Sequence, residues 1–280
     1  MQQLASVYVI LLEASLLLFA IREEQSVQLR FIMYNFPRNN SPFGGGNRGG
    51  LFGASRYQYQ AMPQGYENAQ AGSLISKVMG LLAFSFLFAF IGALVGFAIG
   101  LTTGGYLVVV IGGLVTLIIL SFAINTPGLN LFLLYLFTFL EGLGLSRILG
   151  LYLGAGYGNI LGEAFLITAI TSLALAVYAW TTKRNFSNLG GYLFMGLIVL
   201  LVAGLISFFF HSTFFVFLIS VLGIGIFSAY VLYYVQRAKY LADTLPNAIG
   251  ITVSLFITVL NLFLYILMFL SILQGGNRRN

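Results

Sequence analysis

The stretch YLFTFLEGLGLSRILG, residues 135–150, sets a carboxylate, Glu141, well inside an apolar run that begins near Leu129. A charge at bilayer depth costs at least about 2.5–3.5 kcal/mol on insertion scales, and no Lys or Arg matches the depth of Glu141. The cheaper form is the protonated carboxyl. Such an acid is either a neutral-to-charged switch linked to pH or to a cation, or a permanently protonated structural acid. Groups expected at its depth are Thr168, Ser172 and, on the last apolar segment, Thr258 or Asn261. Arg147 and Glu163 flank one loop at similar distances, so an antiparallel hairpin predicts an ion pair between them near the outer boundary. Alone, Arg147 would snorkel to the interface.

A second constellation lies in SLFITVLNLFLYIL, residues 254–267. Ser254, Thr258, Asn261 and Tyr265 recur at helical spacing and form one polar stripe. Lipid does not tolerate a side-chain amide without a partner, so this face turns into the protein, near its centre. The preceding apolar segment carries a partial counterpart in Ser220, Gly223, Phe227, Tyr230, Tyr234 and Arg237. Two facing polar stripes either enclose a hydrated cavity or bind the helices to each other. Two ridges of small residues, Gly92, Gly96, Gly100 and Gly142, Ser146, Gly150, suit close helix packing in lipid.

No enzyme emerges from these residues. His211, Ser212 and Asp243 are nominal triad members, but His211 and Asp243 fall at opposite membrane faces. The glycines of SPFGGGNRGG lack the Lys-Ser/Thr ending and the preceding strand of a phosphate loop. An intramembrane aspartyl protease needs two acids at one depth, and Glu141 alone qualifies. The chain has no cysteine and a single histidine, so thiolate and histidine-cluster metal sites are excluded and no cofactor is implied.

The elements that must position these residues are membrane spans. Of 280 residues, 59% are hydrophobic and only 7% charged, with a mean hydropathy of +0.97, a composition outside the range of soluble domains. Seven segments reach the length of a spanning helix: roughly 77–101, 105–124, 129–149, 160–180, 190–210, 213–233 and 248–272. TTGG, NTPG, GAGYGN and ADTLPN separate them with turn residues. The net charge of +6 sits at the ends of the runs, which indicates topology anchors rather than nucleic-acid contacts. With a cytoplasmic start, Lys77, Lys183, Arg184, Arg237 and Lys239 all fall inside. Arg278 and Arg279 fall outside, so either the tail is a tolerated exception or the last segment does not fully cross.

Upstream, LASVYVILLEASLLLFAI (4–21) is long enough to span but contains Glu13 and has no basic residue before it. It is either an extra anchor or an over-extended start, with translation beginning at Met33. Residues 34–75, rich in Gly, Asn, Gln and Tyr, are expected to be disordered. The domain division is therefore 1–75 as an N-terminal segment, 76–273 as a seven-helix membrane domain, and 274–280 as a short basic tail.

Four stretches, FLEGLGLSRIL (139–149), YAWTTKRNFSNLGGYLFMGLIVLLVAGLISFF (178–209), IFSAYVLYYVQRA (226–238) and SLFITVLNLFLYIL (254–267), resemble the Bax inhibitor family in order and spacing. The resemblance covers about residues 76 to 273, and TKRNFSNLGG is its most specific element. It implies a seven-helix bundle wrapped around the last helix, and a pH-sensitive calcium or cation leak that protects cells from stress. In the family pattern two aspartates form a proton-sharing sensor; here Tyr234 and Thr258 stand at those positions. Two close carboxylates titrate as a coupled pair near neutral pH, which a Tyr and a Thr cannot reproduce. A hydrogen bond between Tyr234 and Thr258 would instead lock the helices and leave Glu141 as the only core acid. Relatives that lack both acids are described as modulators of an FtsH-type membrane protease. Two readings follow: a cation leak moving calcium or protons, or a non-transporting partner of such a protease acting through the N-terminal tail. The resemblance places the chain in a bacterial inner membrane, tail in the cytoplasm.

Overall fold

Residues between the apolar runs stop one helix and start the next. In a computed structural model, which describes residues 7–19, 21, 64–186, 189–210 and 212–277, the Thr102 hydroxyl accepts from the Gly105 N–H at 3.2 Å and caps a helix. Gly128 and Gly156 turn the chain at φ of 79° and 78°, a region that favours glycine. The elements so delimited are α1 (Val7–Phe19), α2 (Gln64–Ile99), α3 (Thr103–Ala123), α4 (Leu129–Gly154), α5 (Gly158–Thr181), α6 (Leu189–Phe209), α7 (Thr213–Ala238) and α8 (Leu245–Asn277).

Among the described residues every regular element is a helix, and seven, α2 to α8, are long and apolar enough to cross a bilayer. Helix α2 starts before the expected tail boundary, so residues 64–75 are helical rather than disordered. Glu, Ala and Gln in this stretch are good helix formers and extend the apolar helix backwards. The remainder of that tail, 34–63, lies outside the described residues, as do His211, Arg278 and Arg279.

Helix α8 is the axis of the bundle: 72% of its apolar window is buried, against 17% for α6. Helices α2, α4, α5 and α7 pack around it. In lipid, apolar area gives little drive between helices, so close backbone approach matters more. The two glycine ridges supply it between α2 and α4. A Cβ added at Gly142 would overlap the Ala89 backbone, and one at Gly92 would overlap the Phe139 carbonyl.

The apolar stretch near the N-terminus packs among the other helices. Its described part is helical from Val7 to Phe19. It inserts into the bundle, with Tyr8, Leu12, Leu16 and Phe19 buried. Gly144 of α4 makes room for the Tyr8 ring, and Gly204 of α6 for Ile10. Phe19 borders a cleft with Leu114 and Leu117 of α3.

Lys77, Lys183, Arg184, Arg237 and Lys239 gather at one end. Lys77 pairs with Asp243 at 2.9 Å, the one ion pair among the described residues. The Lys239 ammonium donates to the carbonyls of Ala179 and Trp180, and the Gln236 amide bridges Arg184 and Phe186 in the α5–α6 connection. The Ser73 hydroxyl and the Lys77 ammonium, both hydrogen-bonded to Asp243, hold its carboxyl below the usual aspartate range. A depressed carboxylate adds stability above its unfolded value, near pH 4, and loses it as pH falls through the folded value. Asp243→Asn is expected to lower the melting temperature at pH 7, with the two melting temperatures converging as pH falls below the ordinary aspartate range. A difference that stays constant from pH 7 to 2 would contradict this.

Candidate functional site

Glu141 sits mid-way along α4, 3% exposed, facing α1 and α3. Its carboxyl occupies space left by Gly113 of α3, where a Cβ would come within 2.9 Å of Oε1. The Tyr8 hydroxyl lies 2.6 Å from Glu141 Oε2 and 2.7 Å from the Glu141 backbone carbonyl. A hydroxyl has one hydrogen to donate. Both contacts are hydrogen bonds when the Glu141 carboxyl is neutral: its O–H donates to the Tyr8 oxygen, and Tyr8 donates to the carbonyl. The Tyr106 ring packs beside Tyr8, 6.3 Å between centroids.

Of the partners expected for Glu141, Thr168, Ser172 and Asn261 bond within their own helices, and Thr258 bonds to nothing among the described residues. Thr168 donates to the Ala164 carbonyl at 2.7 Å and Ser172 to that of Thr168 at 2.6 Å, both inside α5. Asn261 donates to Ile257 at 3.0 Å inside α8. Tyr8 was missed because its segment had no assigned place in the bundle. The available signal was the same one that marked Glu141, an acid, Glu13, within an apolar run.

Glu13 is a second core acid, 0% exposed, which corrects the expectation that Glu141 stands alone. The Tyr265 hydroxyl of α8 donates to its Oε1, while Oε2 has no hydrogen-bond partner. Tyr265 is the top of the polar stripe, and its ring fills the notch at Gly223 and stacks on Phe227 of α7. Below it, Asn261 Oδ1, Thr258 Oγ1 and Ser254 Oγ are fully buried without partners. Elsewhere in the bundle Thr252, Thr116 and Ser220 each donate to a carbonyl one turn back at 2.7 Å, whereas Ser85 Oγ and the Tyr106 hydroxyl are also buried without partners. The stripe therefore carries a file of unanswered oxygens along the axis of the protein, ending at Glu13.

One sequence expectation around this file is corrected, and another away from it. Thr258 makes no hydrogen bond to Tyr234; Tyr234 instead stacks on Tyr230 at 5.5 Å and meets Tyr233 edge-on. Arg237, in the last turn of α7 at the basic end, is half-buried with its guanidinium 6.0 Å from the Tyr233 ring centroid. Arg147 and Glu163 do not pair. The Arg147 guanidinium donates to the Leu101 carbonyl and to Thr103 Oγ1, and Glu163 accepts from Gln274 at 2.9 Å. Helix α5 packs against α7 and α8 rather than closely on α4, so the hairpin that would align the two charges is open.

A family model described as "Inhibitor of apoptosis-promoting Bax1" matches residues 71–275. The chain belongs to the Bax inhibitor family. An uncharacterized protein of Pseudomonas aeruginosa is 30% identical over 221 residues, 79% of this chain and 98% of the relative. Protein lifeguard 4 of Mus musculus is 30% identical over 161 residues, 58% of this chain and 66% of that protein. An uncharacterized protein of Helicobacter pylori is 36% identical over 161 residues, 57% of this chain and 68% of that protein. The Bax inhibitor match contains Glu141 and the α8 stripe, whereas α1, with Tyr8 and Glu13, precedes it.

Proposed function

We propose that this Bax inhibitor family member is a cation leak whose path follows the polar face of α8, with Glu13 as the carboxylate a passing ion or proton meets. The observation that carries the reading is the file of buried, unpartnered oxygens at Ser254, Thr258 and Asn261, ending at the free oxygen of Glu13. Leaving one such group unsatisfied costs about 1–3 kcal/mol. Carboxylate, amide and hydroxyl oxygens are the donors that calcium and other hard cations accept in place of water. Tyr234 and Thr258 carry no charge where the family pattern has acids, so the carboxylate beside the stripe comes from α1. The basic end, with Lys77, Lys183, Arg184, Arg237 and Lys239, supports a cytoplasmic orientation for that face. The bacterial relatives support an inner membrane.

The test is calcium and potassium efflux from liposomes carrying the purified full chain, between pH 6 and 8. Asn261→Leu puts an apolar side chain across the file and is expected to slow efflux at least tenfold, about 1.4 kcal/mol of barrier. Glu13→Gln is expected to remove the pH dependence. Glu141→Gln, whose amide can donate to Tyr8 as the neutral acid does, is expected to keep it. Equal efflux from wild type and Asn261→Leu, or none from wild type, overturns the leak. The second outcome leaves modulation of a membrane protease through residues 34–75, which deletion of 34–63 and an assay of protease turnover address.

A further inference from the structure

The ridges that bring α2 and α4 together do not stay together. Gly92 and Gly142 close the helices to backbone contact, but two turns on, a Cβ at Gly100 would meet nothing within 4 Å and one at Gly150 only the edge of Phe97, at 3.5 Å. Between them lies an open groove of about 300 Å³, lined by Gly96, Phe97, Gly100, Arg147, Gly150 and Leu151. Arg147 lies about 10 Å before the end of α4 and reaches Leu101 in the loop after α2, so its guanidinium is at headgroup level.

The charge of Arg147 is unbalanced. Two of its nitrogens donate to Leu101 and Thr103, its Nε is buried without an acceptor, and no carboxylate pairs with it among the described residues. Helix α3 begins at Thr103, so the positive end of its dipole adds to the same spot. A guanidinium suits the tetrahedral oxygens of a phosphate, and the Phe97 and Leu151 side chains that line the same groove suit an acyl chain.

We propose that this groove binds a glycerophospholipid, with the phosphate against Arg147 and one acyl chain along Phe97 and Leu151. The site lies outside the α8 file and stands whether or not the protein conducts ions. It also accounts for the wide spacing at Gly100 and Gly150, which helix packing alone leaves open.

The experiment is native mass spectrometry of the purified full chain in a maltoside detergent, titrated separately with dioleoylphosphatidylglycerol, dioleoylglycerol and inorganic phosphate. One tightly held phosphatidylglycerol is expected on the wild type, with dioleoylglycerol and inorganic phosphate at least tenfold weaker. Arg147→Ala is expected to weaken phosphatidylglycerol at least tenfold, with Arg147→Lys intermediate. Gly150→Leu fills the groove while leaving Arg147 and its hydrogen bonds in place, and is expected to weaken the lipid to the same degree with an unchanged melting temperature. Dioleoylglycerol binding as tightly as phosphatidylglycerol overturns the role of the phosphate. Inorganic phosphate binding as tightly overturns the lipid. Phosphatidylglycerol retained by both Arg147→Ala and Gly150→Leu overturns the site.

Discussion

Gly142→Leu is expected to abolish folding of the bundle. The α-carbon of Gly142 faces the Ala89 backbone so closely that any Cβ would overlap the carbonyl of Ala89, and Gly92 has the reciprocal relation to Phe139. The obstacle in both cases is main chain, which has no rotamer to swing aside. Relief requires moving α2 off α4, and with it the α2 and α4 contacts to α8. Overpacking a tight core typically costs about 1–3 kcal/mol. A backbone collision by a four-carbon side chain exceeds that range, against a total stability of about 5–15 kcal/mol. Lipid offers no compensating hydrophobic gain, because the separated faces are as well solvated by acyl chains as by each other. Gly162 of α5 is the control: nothing lies within 4 Å of its added Cβ. Gly162→Leu is expected to melt with the wild type in detergent, while Gly142→Leu elutes as aggregate without a cooperative transition. A Gly142→Leu protein that melts like the wild type would show that α2 and α4 do not approach as described.

Removing residues 1–21 is expected to open the interior from the α3 side. Helix α3 scarcely meets α8, and α1 occupies the space between α3, α4, α6 and α8, with Tyr8 bonded to Glu141 and Glu13 to Tyr265. Because apolar burial holds a helix only weakly against lipid, these two hydrogen bonds are a large part of what retains α1. The chain has no cysteine, so a single Glu141→Cys reports on this position without background. In the full chain the thiol is expected to react slowly with a charged, water-soluble methanethiosulfonate. In the chain lacking residues 1–21 the rate is expected to rise at least about tenfold, since access no longer requires local opening. Equal rates in both chains would mean that α1 does not cover Glu141.

The spans, their breaks and the inward stripe of α8 were legible in the amino-acid order because bilayer physics leaves the chain few options. Backbone groups in lipid must be satisfied within their own helix, so an apolar run of sufficient length is a helix whatever surrounds it. An amide such as Asn261 has to face protein for the same reason, and the 3.6-residue period then carries Ser254, Thr258 and Tyr265 to the same side. The glycine ridges were equally visible, since only small residues permit the approach found between α2 and α4. Partner choice was not legible. Glu141 is answered by Tyr8, 133 residues away, and Arg147 by the carbonyl of Leu101, a backbone group that no side-chain pattern announces. The Arg147–Glu163 pair failed because neighbours in sequence are not always packed neighbours: α5 lies on α7 and α8. The insertion of α1, and with it a second buried acid at Glu13, was decided by a vacancy among α3, α4, α6 and α8 that exists only once those helices have assembled. Sequence determines which segments must be helices and which faces must avoid lipid; tertiary structure alone decides which polar groups meet inside.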